Sequence, residues 1–232
     1  MRYKGRASAL VVAHRGDPVA HRENTLEAFD SARALGADMV ELDSRLTRDG
    51  QVMVLHDATL ARLWGDPRPL AELDSHEARS VRQGGYRVPT LAEVLEAVAL
   101  QVMVDLPDPA AAAPSWSVVC QAGATERCIF AGSTAGLRQL RELSPNVRIA
   151  LTWDKVELPT PDLLREVRPE WWNPYHRLAS ASAVKWAHGE GMGVSVWTVD
   201  SRRDIAQVLD VGVDAVVSNQ AARVVEEVAR RR

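Results

Sequence analysis

The chain has 232 residues, enough for one large domain with a sizeable buried core. Apolar residues at 46% and charged residues at 25% exclude a disordered or collagen-like chain, and a formal net charge of −3 speaks against a generally basic nucleic-acid binder. Two cysteines, Cys120 and Cys128, are too few for a disulfide framework or a cysteine metal knuckle, which points to a reducing, cytoplasmic setting.

Residues 1–8 carry charge but no apolar stretch ahead of a small-residue cleavage site, so no signal peptide is expected. No later run has the length of a membrane span, and no stable membrane association is expected. From there short β-branched runs alternate with longer stretches of helical period. The runs are 9–13, 39–42, 101–106, 128–131, 148–153, 171–173, 193–199 and 215–218. The helical patterns are 25–35, 91–99, 115–123, 137–143, 161–167, 181–190, 202–211 and 221–231. The runs read as parallel strands buried on both faces, giving eight βα units. Eight units in a single domain over residues 1–232 predict an α/β fold, the (β/α)8 TIM barrel, which typically takes about 250 residues. A doubly wound sheet, the other arrangement of this class, usually has fewer units. No repeat or linker marks a second domain, and nothing marks a subunit interface. Little chain is left for a lid, so an open mouth and a broad substrate range are expected.

One segment breaks the alternation. Residues 41–57 read as two strands around Asp49-Gly50, a hairpin signal. A two-residue turn there sets Arg48 opposite Gln51 and, counting outward, Asp43 opposite His56. This short extension after strand two folds a histidine back beside a carboxylate. Residues 58–90 then run through Gly, Pro and charge without a clear period.

In a parallel barrel the carboxyl ends of the strands form the active face. His14-Arg15-Gly16 closes the first strand, either as a catalytic pair or as a capping or solvated one. Glu41 and Asp43 end the second, on one side of it because the side-chain period is two. Two carboxylates facing a barrel mouth are costly without a cation between them, and Mg2+ or Ca2+ takes such oxygens. An ion pair with a nearby arginine is the alternative. Asp105 closes the third strand, as a third oxygen ligand or as a plain terminator before Pro107. Glu23-Asn24-Thr25 leads into a helix, with Asn24 or Thr25 as cap and Glu23 placed to orient Arg15 or meet a metal. His21, His76 and His188 read as solvated or structural, and His176 as a loop residue near the mouth.

The ordered set of motifs resembles the glycerophosphodiester phosphodiesterase family. Its pieces are His14-Arg15-Gly16, Glu23-Asn24-Thr25 with Ala28-Phe29, the run 36–43 ending in Glu41-Leu42-Asp43, and Thr47-Arg48-Asp49-Gly50. They continue with Val54-Leu55-His56-Asp57, Thr59-Leu60-Ala61-Arg62, the run 88–95, Val196-Trp197-Thr198-Val199, and the final strand 212–219. The resemblance runs from residue 9 to about residue 220. It implies a metal-dependent hydrolase that splits a small-molecule glycerophosphodiester into an alcohol and glycerol 3-phosphate. Carried onto matching positions, Glu41, Asp43 and Asp105 hold a divalent cation (Mg2+ or Ca2+), His14 and His56 form the acid–base pair, and Arg15 holds a phosphate oxygen. Trp197, aligned with a family motif, is expected to form an apolar wall beside the glycerol.

The chain also departs from the family pattern. Where the family usually has Glu-x-Lys after strand three, this sequence has Asp105-Leu106-Pro107. Aspartate still binds a cation, but proline supplies neither charge nor a hydrogen-bond donor, so one phosphate clamp is missing. Arg45 or Arg177 is a candidate substitute. The family's usual Trp-Thr-Val-Asn is Trp197-Thr198-Val199-Asp200 here. Two other readings stand beside this one: a catalytically silent barrel that binds phosphodiesters, suggested by the absent lysine, and a lyase that forms a cyclic phosphate, suggested by the toxin-like phospholipases that resemble this family.

Overall fold

The computed structural model describes residues 8–232. Residues 1–7, on which most of the reading of the amino terminus rests, lie outside the described residues. In chain order the first elements are β1 (Leu10–His14), α1 (Leu26–Ala34), β2 (Met39–Leu46), β3 (Val52–Val54), α2 (Ala61–Trp64) and α3 (Ser75–Ser80). Next come β4 (Arg82–Gln83), β5 (Tyr86–Arg87), α4 (Leu91–Ala97), β6 (Gln101–Leu106), α5 (Ala112–Gln121), β7 (Cys128–Gly132) and α6 (Thr134–Leu143). The last are β8 (Ala150–Trp153), α7 (Pro161–Val167), β9 (Trp171–Pro174), α8 (Ala181–Gly189), β10 (Gly193–Val196), α9 (Arg202–Asp210), β11 (Ala215–Ser218) and α10 (Ala221–Arg230).

Eight parallel strands lie side by side in the order β7-β6-β2-β1-β11-β10-β9-β8. A parallel bridge between Phe130 and Ile149 brings the first and last together, so the sheet is a nearly closed barrel with the helices outside. Among the described residues no helix is long and apolar enough to cross a membrane.

The two-residue period of the strands sorts side chains between two apolar layers. Leu10, Val12, Met39, Met103, Ile129, Trp171 and Val217 fill the barrel interior. Their neighbours Val11, Ala13, Val40, Leu42, Val104, Phe130 and Trp172 face the helices instead. The indole of Trp172 meets that of Trp186 edge-on at 5.5 Å, so of the adjacent pair Trp171 points in and Trp172 out. Continuing each inward row toward the carboxyl end gives His14 one step after Val12, Glu41 and Asp43 one and two steps after Met39, and Asp105 one step after Met103. The polar residues of the mouth therefore stand on top of an apolar plug, carried there by the same alternation that packs it.

The hairpin is present, with its register one residue away from the expected one. β3 pairs β2 through Ser44↔Val54, Arg45↔Met53 and Leu46↔Val52, and Leu55 N–H donates to the Asp43 carbonyl (2.9 Å). Asp43 thus faces Leu55 rather than His56. The cause is a three-residue loop, Arg48-Asp49-Gly50, closed by Thr47 N–H donating to Gln51 O at 3.1 Å, with Gly50 at φ +80°.

Residues 55–90 are also more than an irregular excursion. Leu55, Leu60, Trp64, Leu70, Leu73, Ala78 and Val88 pack with Met53 into a small separate core. This subdomain leans on the loop after β1: the Arg22 guanidinium stacks over Trp64 (4.9 Å) and Tyr86 (5.7 Å), and His21 Nδ1 meets the Tyr86 hydroxyl at 3.2 Å. Of this segment only His56 lines the cavity at the mouth.

The subdomain joins the barrel at a capping box. Thr90 caps α4 by accepting from Glu93 N–H (3.1 Å), and the Glu93 carboxylate accepts from Thr90 N–H (2.8 Å), Arg87 (2.9 Å) and Arg79 (2.9 Å). Burial alone would raise the Glu93 pKa, but the Arg87 and Thr90 donors hold it down at about 2. A depressed carboxyl stabilises the fold above its unfolded value and loses that contribution as pH falls through the folded one. Urea unfolding is therefore expected to find Glu93→Gln less stable than the wild type at pH 7, with the gap closing between about pH 4.5 and pH 2.

Gly132, at the end of β7, sits at φ +101°, and a Cβ there would lie 2.5 Å from Leu106 N on the neighbouring strand. Gly132→Ala is expected to cost about 1–3 kcal/mol in urea unfolding, through strain at both the backbone and the β6 contact.

Candidate active site

One cavity of about 170 Å³ opens at the carboxyl ends of the strands, lined by His14, Arg15, Glu41, Asp43, His56, Asp105 and Trp197 together with Met103, Gly132, Thr152, Asn173 and Val217. The two histidines, Arg15, the carboxylates of Glu41, Asp43 and Asp105, and Trp197 all lie on this one surface, whereas Glu23, Arg45 and Arg177 do not line it. Strand register explains much of it. His14 and Glu41 are Cα partners across β1 and β2, and Asp43 and Asp105 are partners across β2 and β6.

Arg15 follows β1 with φ +58°, a left-handed backbone that turns its N–H toward Glu41 Oε2 (2.9 Å). Its guanidinium reaches Glu23 Oε1 at 2.8 Å and Asp43 Oδ2 at 3.2 Å. The ion pair that the sequence offered as the alternative for Asp43 is thus present, and Glu23 orients Arg15. Thr25 caps α1, and Asn24 does something else: its Nδ2 donates to Asp43 Oδ2 at 2.8 Å.

Glu41 and Asp43 are 5% and 2% exposed, so three carboxylates share a nearly dry corner. Burial, followed by the Asp43 and Asp105 charges, pushes Glu41 well above its ordinary pKa. Burial and then Asp43 push Asp105 to about 7. Among the described residues no group of three or more His, Cys, Asp or Glu side chains is gathered tightly enough to hold a metal ion as it stands. The chemistry of the donor set nevertheless fits a hard divalent cation: carboxylate oxygens on one wall, with the charged forms of Glu41 and Asp105 disfavoured by burial and by the Asp43 charge.

The two histidines differ in their surroundings. His14 Nδ1 meets Asn219 Oδ1 at 2.8 Å, and its Nε2 is 3.8 Å from Glu41 Oε2. Burial and then the Arg15 charge push His14 below its ordinary pKa. His56 is half-exposed, with Nδ1 at 2.7 Å from Asp57 Oδ1. Asp57 is held at about 2 by Arg62, which also donates to Glu23 (2.7 Å), so one arginine ties the supports of His56 and Arg15 together.

The opposite wall is made by β8, β9 and Trp197. The Trp197 indole N–H donates to the Asn173 carbonyl (2.9 Å) and its ring meets Tyr175 edge-on. Asn173 Oδ1 is buried and has no hydrogen-bond partner among the described residues. Of the candidates to replace the missing lysine, Arg45 donates to the His56 carbonyl (2.6 Å) and its charge lowers the pKa of Asp105, whereas Arg177 lines a separate cavity with His176. His188 is structural, bonded to Asp214 at 2.7 Å. The sequence pattern does not mark Asn24, Asn173, Asp200 or Asn219 as site residues. An inward parity count would have found Asn173, whereas Asn24 and the Asp200–Asn219 pair depend on loop paths.

The sequence profile of the glycerophosphoryl diester phosphodiesterase family matches residues 14–223. The chain belongs to that family. A glycerophosphodiester phosphodiesterase of Caldanaerobacter subterraneus is 26% identical over 227 residues, spanning 90% of this chain and 93% of its own. A phosphodiesterase of Oleispira antarctica, solved in complex with the product sn-glycerol-3-phosphate, superposes with a TM-score of 0.86 at 21% identity and covers 96% of this chain and 97% of its own. A glycerophosphodiester phosphodiesterase of Parabacteroides distasonis gives 0.84 at 21%, covering 98% and 99%. The barrel of this family member is therefore shared nearly end to end with its relatives, and the mouth described above is where the family profile begins, at His14.

Proposed function

We propose that this barrel domain hydrolyses glycerophosphodiesters to an alcohol and glycerol 3-phosphate, with Glu41, Asp43 and Asp105 holding a divalent cation. The observation that carries the reading is the single cavity uniting two histidines, an arginine and three buried carboxylates in a member of this family. When bound, the cation supplies positive charge to the non-bridging phosphate oxygens, lowering the repulsion that protects a diester anion.

The chain's own residues supply the rest. Arg15, steadied by Glu23 and Asp43, offers guanidinium N–H groups to a phosphate oxygen. One histidine takes the proton of the nucleophile, and the other returns a proton to the departing alkoxide. The nucleophile is water, giving glycerol 3-phosphate directly, or the glycerol 2-hydroxyl, giving a cyclic phosphate whose O2–P bond water then breaks in a second step with the proton roles reversed. Histidine suits both roles because its pKa lies near neutrality. Trp197 provides a flat wall for the glycerol carbons, and the unpaired Asn173 Oδ1 accepts from a glycerol hydroxyl. Arg45, near Asp105, supplies part of the charge that the absent lysine provides elsewhere in the family.

The test is release of glycerol 3-phosphate from a panel of glycerophosphodiesters with Mg2+, with Ca2+ and after EDTA. Turnover that needs one of the cations and is restored by adding it back is the expected result. Turnover unaffected by EDTA overturns the metal assignment. Tight binding without turnover would favour the silent barrel, and a cyclic end product the lyase.

A further inference from the structure

Beyond the mouth-lining residues, a partly buried polar chain runs from the loop after β10 to His14. The Asp200 carboxylate accepts from Asn219 N–H (2.8 Å), Asn219 Nδ2 (2.8 Å) and Ser218 Oγ (3.1 Å). Ser218 Oγ in turn accepts from Gln220 N–H (2.9 Å), so its hydroxyl proton is committed to Asp200. Three donors converge on one side chain, as an ionised, acceptor-only carboxylate requires. The usual ambiguity of an asparagine amide disappears here: only Nδ2 can face Asp200, so Oδ1 must face His14. Oδ1 has no proton to give. The 2.8 Å contact with His14 Nδ1 is a hydrogen bond only if Nδ1 carries the proton.

We propose that Asp200 and Asn219 are positioning residues that lock His14 in the Nδ1–H tautomer, leaving the Nε2 lone pair toward the cavity as the proton acceptor of the reaction. The partner of one ring nitrogen generally decides which nitrogen is protonated, and the wrong tautomer disables a histidine even when its position is intact. Glu41 Oε2, the other neighbour of the ring, is 3.8 Å from Nε2 and beyond hydrogen-bond reach, so the Asn219 contact decides the tautomer. The proposal rests on the hydrolase reading for the word reaction, though the tautomer itself does not. A consequence follows for His56: with His14 accepting, His56 is the proton donor to the leaving alcohol.

Order along the chain matters less than the pairing of one carboxylate with one amide. Exchanging them, Asp200→Asn with Asn219→Asp, keeps an acceptor against His14 Nδ1 and a donor–acceptor match between the two side chains. Each single change breaks the match: Asp200→Asn frees the Asn219 amide to turn its NH2 toward His14, and Asn219→Asp sets two carboxylates face to face.

The test has two parts. Long-range 15N–1H NMR of the intact protein, with the His14 signals assigned by comparison with His14→Gln, reads the tautomer directly and needs no turnover. The expected result is a protonated Nδ1 and an unprotonated Nε2 in the wild type, with mixed or reversed protonation in Asp200→Asn. Steady-state kinetics on glycerophosphocholine are expected to show kcat lowered roughly 10- to 100-fold in each single variant and largely recovered in the double exchange. A wild-type His14 carrying its proton on Nε2 overturns the proposal, even if none of the variants folds. So does a double variant no better than either single one, since a merely structural role gives no such rescue. Absence of turnover with the expected tautomer would refute the hydrolase reading and leave the positioning role standing.

Discussion

Replacing His14 or His56 by glutamine is expected to lower kcat on glycerophosphocholine by about 10²- to 10⁴-fold, the range that general acid–base groups contribute. The two losses have different companions. His56 is half-exposed and bonded mainly to Asp57, so His56→Gln should leave the urea midpoint close to that of the wild type. His14 is largely buried and carries the Asn219 contact, so His14→Gln should lose some stability as well as activity. If the histidines serve two proton transfers of one reaction, the double variant should be little worse than the worse single one. Retained kcat in either single variant would remove that histidine from the chemistry.

Arg15→Ala should be the most damaging change at the mouth for stability and activity together. Arg15 is the ion-pair partner of both Glu23 (2.8 Å) and Asp43 (3.2 Å), and Asp43 is almost completely buried. Removing one member of a buried pair leaves an uncompensated charge, which costs about 3–5 kcal/mol. The wild-type pairing is partly exposed on the Arg15 side, which places the expected loss near the lower end, about 3 kcal/mol. A divalent cation among Glu41, Asp43 and Asp105 should return part of that stability, so the melting temperature of Arg15→Ala should rise more steeply with Mg2+ or Ca2+ than that of the wild type. Activity should fall through lost phosphate binding. Arg15→Lys should recover stability better than activity, because a single ammonium cannot span two carboxylates or fork onto a phosphate. An Arg15→Ala variant as stable as the wild type would contradict the account of the buried corner.

What the sequence disclosed follows from its periods. The inward alternation that puts Val12 and Met39 in the apolar interior also puts His14, Glu41 and Asp43 above it, so the barrel and its polar rim were readable together. Register and loop paths were less readable. Asp49-Gly50 signals a turn but not its length, and the third loop residue shifts the pairing from Asp43–His56 to Asp43–Leu55. His56 still reaches the cavity because the chain leaves the strand after Val54 and is held by Arg45 on its carbonyl. The small core of Leu60, Trp64, Leu70 and Leu73 was hidden because these residues follow no fixed spacing among glycines, prolines and charges. Asp200 and Asn219 lie at the ends of two adjacent βα units, and only their backbone paths reveal that they meet behind His14.

The most direct measurement is a 31P NMR time course of glycerophosphocholine incubated with the protein and a divalent cation. The account predicts that the diester signal is replaced by that of glycerol 3-phosphate. A diester signal that persists, or a cyclic phosphate that accumulates as the final product, would contradict it.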